Sequence, residues 1–156
     1  MKITVLSIGK TEAGWLVEGE KEYLKRLPHY CNFEWKVLPA IKKLKSLSRE
    51  QVKEEEGKLL LDNLATGDWV VLLDEKGKEL DSPQLAGFLQ QKMNAATRHL
   101  VFIIGGAYGF SQPLYQRANQ KLALSKLTFS HQMVRVFLLE QLYRGFSILR
   151  GEKYHH

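Results

Sequence analysis

The sequence predicts a single α/β domain with a mostly parallel sheet over residues 1–156, because strand-like and helix-like patterns alternate along the chain. Short, nearly continuous apolar runs occupy Lys2–Ile8, Trp69–Leu73 and Leu100–Ile104, as in strands covered on both faces. Helical spacing of apolar residues separates these runs. No linker rich in proline, glycine or serine interrupts the chain, so we expect one domain with one continuous core.

The N-terminal strand is followed by a predicted helix and a second strand. Thr11 is the predicted cap of the helix, and Pro28 stops it. The residues of the inner face recur at helical spacing: Leu16, Glu20, Tyr23 and Leu27. Phe33–Leu38 alternates in polarity and comes before Pro39, which indicates a strand.

The second helix begins with a capping box at Ser48–Gln51. Its predicted inner face consists of Val52, Leu59, Leu60 and Leu64. Gly67 and Asp68 then turn the chain into the strand Trp69–Leu73, which Asp74–Gly77 follows.

Two serine–proline signals mark the starts of further helices. Ser82 is the predicted N-cap and Pro83 the first helical residue of one, with Leu85, Phe88, Leu89 and Met93 facing inward. Ser111 and Pro113 repeat the pattern for a short helix that ends near Asn119.

A short strand at Leu122–Leu124 precedes a closing helix from about Met133 to Leu149. This helix is apolar around most of its circumference, and such a helix must be covered on all sides. A domain of this size covers one side, so we expect a second subunit on the other and predict a homodimer. The alternative is a central core helix in a monomer.

Charge favours a polyanionic partner. The net charge is +6, and Lys42, Lys43, Lys45 and Arg49 cluster in one segment. Binding of phosphates by such residues releases counterions, which favours RNA. A solvated surface loop explains the cluster equally well.

Other classes of protein are disfavoured. The single cysteine, Cys31, excludes an internal disulfide and a cysteine-based zinc site, and the scattered histidines lack metal-ligand spacing, so we expect no metal. No apolar run is long enough to span a membrane, and the N-terminus lacks the pattern of a signal peptide. We therefore expect a cytoplasmic protein without a membrane partner.

A glycine turn is the main sign of a ligand site. The strand Leu100–Ile104 runs directly into Gly105–Ser111, and such turns let a backbone approach a ligand closely. The sequence contains no P-loop and no nucleophile elbow. A dinucleotide site is also disfavoured, because Ser125 and Lys126 stand where an acidic ribose ligand is needed.

Four segments together resemble the RlmH family, the SPOUT-class methyltransferases of large-subunit ribosomal RNA. They are Gly105–Phe110, Leu124–Arg135, Glu140–Arg144 and Tyr154–His155, and the resemblance extends over nearly the whole chain. It implies an α/β fold with a deep C-terminal trefoil knot, an exception to the usual rule against threaded chains. It also implies a homodimer and S-adenosyl-L-methionine as methyl donor. The implied acceptor is N3 of a pseudouridine in the 23S rRNA stem-loop at the subunit bridge of the assembled 70S ribosome.

The resemblance also assigns the binding positions for the cofactor. They are Leu73, Gly105, Leu124, Ser125, Lys126, Leu127, Thr128 and Phe129. Adenine needs a flat apolar slot with backbone hydrogen-bonding partners, which loops at strand ends supply. Each position also has a purely structural interpretation, with Leu73 as strand core, Gly105 as a turn residue and Leu127 as packing.

The catalytic positions implied by the resemblance are Arg144, Tyr154 and His155, which we expect to grip a flipped base and its phosphate. The candidate acceptors of the N3 proton are Asp74, Glu140 and His155. Of these side chains, the imidazole of His155 is of a type that commonly exchanges protons near neutral pH. Glu140 and Arg144 are four residues apart, so a simple helix ion pair is the alternative for them.

No separate RNA-binding domain is apparent, so we expect specificity to come from the ribosomal surface and from both subunits. One subunit is expected to hold the cofactor and the basic surface of the other to hold RNA. Relatives can carry a basic residue after the position of His156, so one phosphate contact is expected to be missing. The alternatives are a non-enzymatic RNA-binding or ribosome-binding factor, and a small-molecule enzyme with a nucleotide cofactor.

Overall fold

The computed structural model describes residues 1–42 and 46–155, so Lys43 and Lys45 of the basic segment and the terminal His156 lie outside it. The strands are β1 (Lys2–Ile8), β2 (Asn32–Leu38), β3 (Trp69–Glu79), β4 (His99–Ile104) and β5 (Gln120–Ala123). The α-helices are α1 (Gly14–Arg26), α2 (Arg49–Leu61), α3 (Ser82–Asn94), α4 (Gln112–Arg117) and α5 (Met133–Leu149).

The strands form one parallel sheet in the order β2-β1-β4-β3-β5, which confirms the predicted α/β architecture. Successive residues of a strand face opposite sides of the sheet. On β4, Phe102 therefore packs into the core beneath α3 and α5, whereas Val101 and Ile103 pack into the core beneath α2 and α4. The domain is a three-layer sandwich, and every crossover places a helix over one face.

Several predictions from local sequence are confirmed. The capping box at the start of α2 is formed, since Ser48 Oγ accepts from the Gln51 backbone and Gln51 Oε1 accepts from the Ser48 backbone. The closing helix has the predicted bounds, Met133–Leu149. The inner face of α1 buries Leu16 and Glu20, as its spacing predicted.

The predicted cap at Thr11 is wrong. Helix α1 begins at Gly14 with Ala13 at the N-cap and no side-chain capping bond. The Thr11 hydroxyl instead donates to the Glu20 carboxylate and accepts from Arg135 Nη1 at 2.9 Å. A long-range contact to α5 has replaced a local one.

The predicted cap at Ser82 is also wrong by one residue. Asp81 is the N-cap of α3, its carboxylate accepts from the Gln84 backbone at 2.7 Å, and Gln84 Oε1 accepts from the Asp81 backbone. An aspartate caps at least as well as a serine, so the earlier residue prevails. Ser82 lies inside the helix and donates to Gln141 of α5 at 2.8 Å.

The edge of the sheet differs most from the prediction. Strand β3 continues past Leu73 through the polar residues to Glu79, with a register shift between Leu73 and Lys78. Strand β5 begins at Gln120 and ends at Ala123, earlier than the predicted Leu122–Leu124. The outer part of β3 pairs with β5 through main-chain groups, so its side chains can be polar and face solvent. Such a segment shows no apolar pattern in the sequence.

Helix α5 is covered by α1 and α3 on its inner side, where Leu138, Leu139 and Leu142 are fully buried. Phe137, on another side, is 36% exposed. Within residues 1–42 and 46–155, no helix is both long enough and apolar enough to cross a membrane.

Candidate active site

A cleft of about 880 Å³ opens at the carboxyl ends of three adjacent strands, β4, β3 and β5. Open α/β sheets bind ligands at the carboxyl ends of their strands, because the loops that leave the strands converge there. The predicted cofactor-binding residues found on its wall are Leu73, Gly105, Leu124, Ser125, Leu127, Thr128 and Phe129. Lys126 is the exception among them, since its ammonium group lies 3.7 Å from the Glu79 carboxylate and its side chain is exposed.

The glycine turn forms one wall of the cleft. A methyl group at Gly105 would lie 2.9 Å from the Phe110 ring, so this position has no room for a side chain. The turn closes where the Gly109 backbone donates to the Gly106 carbonyl at 3.3 Å, and Gly109 has a φ of +80°. Glycine is required at Gly109 by this backbone conformation and at Gly105 by packing.

The segment after β5 forms the opposite wall. The Ser125 hydroxyl accepts from the Leu127 backbone at 3.0 Å and so shapes a tight turn. Leu127 is 71% exposed, which excludes the packing interpretation within this chain. The Phe129 ring stacks against Phe137 of α5 with centroids 5.0 Å apart. The cleft therefore offers exposed apolar side chains beside the bare backbone of the glycine turn, a combination that suits a purine ring.

Asp74 and Tyr115 form the polar end of the cleft. The Tyr115 hydroxyl donates to one carboxylate oxygen of Asp74, and the Lys76 backbone donates to the other at 2.8 Å. Burial, reinforced by the Asp74 carboxylate, raises the pKa of Tyr115 to about 12. Tyr115 was missed in the sequence, because a lone tyrosine on a short helix carries no motif.

His131, Arg49 and Tyr108 also line the cleft. The sequence placed Arg49 only in the basic segment that favours RNA, and it did not assign the other two to a site. His131 was interpreted as a helix-start residue, and it does lie two positions before α5. Burial lowers its pKa, and the nearby Arg135 guanidinium lowers it further, which favours the neutral imidazole. The Arg49 guanidinium lies 5.5 Å from the centre of the Tyr108 ring, so α2 contributes positive charge to the rim.

Two of the predicted catalytic residues, Arg144 and Tyr154, form a cluster with Glu140 of α5, separate from the cleft. Glu140 Oε1 accepts from Arg144 at 2.6 and 2.9 Å and from the Tyr154 hydroxyl at 3.2 Å. The Tyr154 ring packs edge-on against Tyr143 with centroids 4.7 Å apart, and burial raises its pKa above the ordinary value. His155 is exposed and forms no hydrogen bond with another described residue. These residues are not among those that line the cleft of the same chain.

Comparison with known proteins identifies the fold family. A family model described as a predicted SPOUT methyltransferase matches residues 1–155. The chain belongs to this family. Two relatives named ribosomal RNA large subunit methyltransferase H are each 53% identical over 156 residues, one from Parabacteroides distasonis and one from Cytophaga hutchinsonii. They match 100% of this chain, which covers 99% and 100% of their lengths, respectively.

A third relative of the same name, from Christiangramia forsetii, is 49% identical over 156 residues, with 100% of this chain and 99% of its own length covered. The resemblance to the RlmH family is confirmed. The positions predicted to bind the cofactor, apart from Lys126, thus lie in the cleft, whereas Arg144 and Tyr154, predicted to be catalytic, lie away from it. Among the residues that the structure describes, no group of histidine, cysteine, aspartate and glutamate side chains could hold a metal ion.

Proposed function

We propose that this chain is a cytoplasmic methyltransferase that transfers a methyl group from S-adenosyl-L-methionine to N3 of a pseudouridine in 23S rRNA of the assembled 70S ribosome. The observation that carries the proposal is the full-length similarity to relatives named for methylation of large-subunit ribosomal RNA. The cleft at the carboxyl ends of β3, β4 and β5 supplies a site of suitable size for the donor.

The residues of the cleft fit this donor. Gly105 presents bare backbone because a Cβ atom there would meet Phe110, so the main chain can approach a bound molecule closely. Leu73 and Leu124 line the apolar part, and the exposed Leu127 is placed to cover a bound ring. When bound, S-adenosyl-L-methionine supplies an electrophilic methyl group whose bond to sulfur breaks as the new N–C bond forms.

The acceptor requires loss of its N3 proton. Asp74 is a weak candidate to receive it, because both carboxylate oxygens already accept hydrogen bonds. Glu140 is engaged in the same way by Arg144, Tyr154 and Gln141. We therefore assign the proton to an imidazole nitrogen of His155, while Arg144 and Tyr154 position the base.

The separation of cleft and tail supports a site shared between two subunits. Neither Arg144 nor Tyr154 lines the cleft of its own chain, so a homodimer in which one tail reaches the other cleft would complete the site. The partly exposed Phe137, which stacks on Phe129 of the cleft wall, is a candidate interface residue. We include a C-terminal trefoil knot in the proposal, following the SPOUT family assignment.

The deciding experiment uses ribosomes from cells that lack this protein, incubated with purified protein and methyl-labelled S-adenosyl-L-methionine. Separated subunits and free 23S rRNA serve as parallel substrates. Label at a single pseudouridine, only in whole ribosomes, is the expected result. Absence of label from every substrate despite cofactor binding would reject the target, and absence of both label and binding would favour an RNA-binding factor without enzymatic activity.

Mixed dimers test the shared site. One chain carries a Gly105 substitution that blocks the cleft, and the other lacks the tail from Tyr154. Because the second chain retains an intact cleft and the first an intact tail, we expect one working site per mixed dimer. Activity no higher than that of the two defective homodimers would reject the arrangement.

A further inference from the structure

Glu56 of α2 is a buried acid with an unpaired carboxyl oxygen in the part of the chain that the structure describes. Its side chain is 8% exposed, and Oε2 has no partner among residues 1–42 and 46–155. The nearest cation on its own helix face, Lys53, pairs instead with Glu50 at 2.7 Å. A buried carboxyl group in this state costs free energy and therefore calls for an explanation.

The Glu56 carboxyl group lies directly against the glycine turn of the cleft. A methyl group at Gly106 would lie 2.5 and 2.7 Å from its two oxygens, so the carboxyl group occupies the space that a side chain at Gly106 would need. The next residue, Gly57, allows the opposite approach, because a methyl group there would lie 2.0 Å from Ser111 Oγ. Helix α2 and the glycine turn therefore pack closely at two points: Glu56 of the helix lies against Gly106 of the turn, and Ser111 at the end of the turn lies against Gly57 of the helix.

The charges around Glu56 do not compensate an ionised carboxylate. Arg49, Glu50 and Lys53 line the cleft from earlier turns of α2, and the glycine turn contributes only the phenol of Tyr108. Across the cleft, the Asp74 carboxylate accepts a hydrogen bond from the Tyr115 hydroxyl. Burial raises the pKa of Glu56, with no opposing contribution from a neighbouring cation. Compared with a carboxyl group in water, burial therefore favours the neutral form of Glu56 over the ionised form.

We propose that Glu56 is a positioning residue whose carboxyl group, packed against Gly106, supports the glycine turn Gly105–Gly109 in the conformation that accepts the methyl donor. The inference rests on the proposed function, since it names a determinant of binding at the same cleft. Glu56 acts through Gly106 and is not itself part of the cleft wall. Ionisation draws the carboxylate towards water, and because its oxygens touch Gly106, the turn must move with it.

Three variants test this role by isothermal titration calorimetry with S-adenosyl-L-methionine. Glu56→Gln keeps the shape and neutrality of the acid and should bind with unchanged affinity. Glu56→Ala leaves the space beside Gly106 empty, so the turn loses its support and the affinity should fall about tenfold. Glu54→Gln, an exposed position on the same helix, is the matched control and should behave as the wild type.

The pH dependence of binding separates this role from simple packing. In the wild type and in Glu54→Gln, affinity should be highest at low pH and should fall as the pH rises through the pKa of Glu56. Glu56→Gln should lack this fall, because an amide does not titrate in this range. His131 and the other ionisable residues of the cleft are the same in every variant, so the difference between the profiles reports Glu56 alone.

The outcomes are distinct. Superimposable pH profiles for the wild type and Glu56→Gln, or a loss in Glu56→Gln as large as that in Glu56→Ala, would overturn the inference. If Glu56→Ala does not fold, Glu56→Gln and the pH profiles decide the matter without it. A wild type that does not bind S-adenosyl-L-methionine at all would instead reject the proposed function.

Discussion

The guanidinium group of Arg144 lies over the ring of Tyr154, with its Cζ atom 4.7 Å from the ring centre. Both side chains also hydrogen-bond to the same oxygen of Glu140, and Arg144 Nη1 lies 3.4 Å from the Tyr154 carbonyl oxygen, to which it donates. Tyr154 is thereby fixed to α5. A cation stacked on an aromatic ring also offers a planar, positively charged surface, which suits a nucleobase and its phosphate.

Tyr154→Phe should reduce methyl transfer while leaving cofactor binding intact. The variant keeps the ring over Arg144 but loses the hydroxyl bond to Glu140, so Arg144 and the tail become less well positioned. We expect kcat to fall on the order of tenfold to 100-fold, with a stability loss of about 1 kcal/mol. Single-turnover assays on ribosomes measure the rate of methyl transfer, and calorimetric unfolding measures the loss of stability.

Tyr30→Phe is the matched control, because Tyr30 donates to Glu152 at 2.5 Å but contacts neither Arg144 nor Glu140 directly. It should retain the wild-type rate. Equal rates for Tyr154→Phe and the wild type would contradict a role for the tail hydroxyl.

Gly105→Ala should weaken binding of the methyl donor. The new methyl group would lie 2.9 Å from Phe110, and either the ring or the turn must move. Because Phe110 is buried, we expect the turn to shift into the cleft and the affinity to fall at least about tenfold. Isothermal titration calorimetry provides the measurement.

A second substitution tests the cause of that loss. Phe110→Leu in the Gly105→Ala background removes the aromatic ring and should recover part of the affinity. If the double variant binds no better than Gly105→Ala, the clash with Phe110 is not the reason.

Gly77→Ala should destabilise the fold by about 1–3 kcal/mol. A methyl group at this position would lie 2.6 Å from the backbone of Leu122, and a strand backbone cannot move aside as a flexible side chain can. Urea denaturation should show a lower midpoint. Gly87→Ala is the control, because it adds a methyl group on α3 with no atom within 4 Å and should be neutral or stabilising. Equal midpoints for the two variants would contradict the close approach of β3 and β5.

Cys31 should react slowly in the folded protein. Burial raises its pKa from 9.0 to about 11, so at pH 8 its thiolate fraction is about 100-fold lower than in the unfolded chain. Alkylation by iodoacetamide should slow by at least that factor, as followed by mass spectrometry with and without denaturant. The neutral thiol is favoured by folding, so this contribution to stability is complete below pH 9 and disappears between about pH 9 and 11. Similar alkylation rates in both states would contradict the burial of the thiol.

The sequence predicted those parts of the fold that follow from local chemistry. The capping box at Ser48 and the bounds of α5 depend on residues close in the chain, and both are present. Thr11 failed as a cap because its hydroxyl bonds to residues far along the chain, and β3 was predicted too short because its outer half pairs through its backbone. Pairing partners that lie far apart in sequence leave no local pattern.

The residues of the candidate site differ in the same way, since some gave a local signal in the sequence and others did not. The glycine turn was visible because Gly105 follows a buried strand directly, whereas Leu124 through Phe129 were assigned through family resemblance alone. Their roles in binding remain predictions, although all but Lys126 line a single cleft. Glu56 and Tyr115 gave no signal, because an acid within a charged helix and a lone tyrosine look like ordinary surface residues until the fold brings them to the cleft.

The contact between Arg135 and Ile8 has a consequence for biosynthesis. The guanidinium of Arg135, near the start of the last helix, donates at 2.8 Å to the carbonyl of Ile8, at the end of the first strand. Strand β1 also pairs with β4 in the middle of the sheet, so a nascent chain that stops before β4 lacks this pairing, and one that stops before α5 lacks the contact between Arg135 and Ile8. Contacts between residues far apart in sequence form slowly, because the loop between them must close first. The polypeptide is therefore expected to acquire its native structure in one step, after synthesis of its final helix.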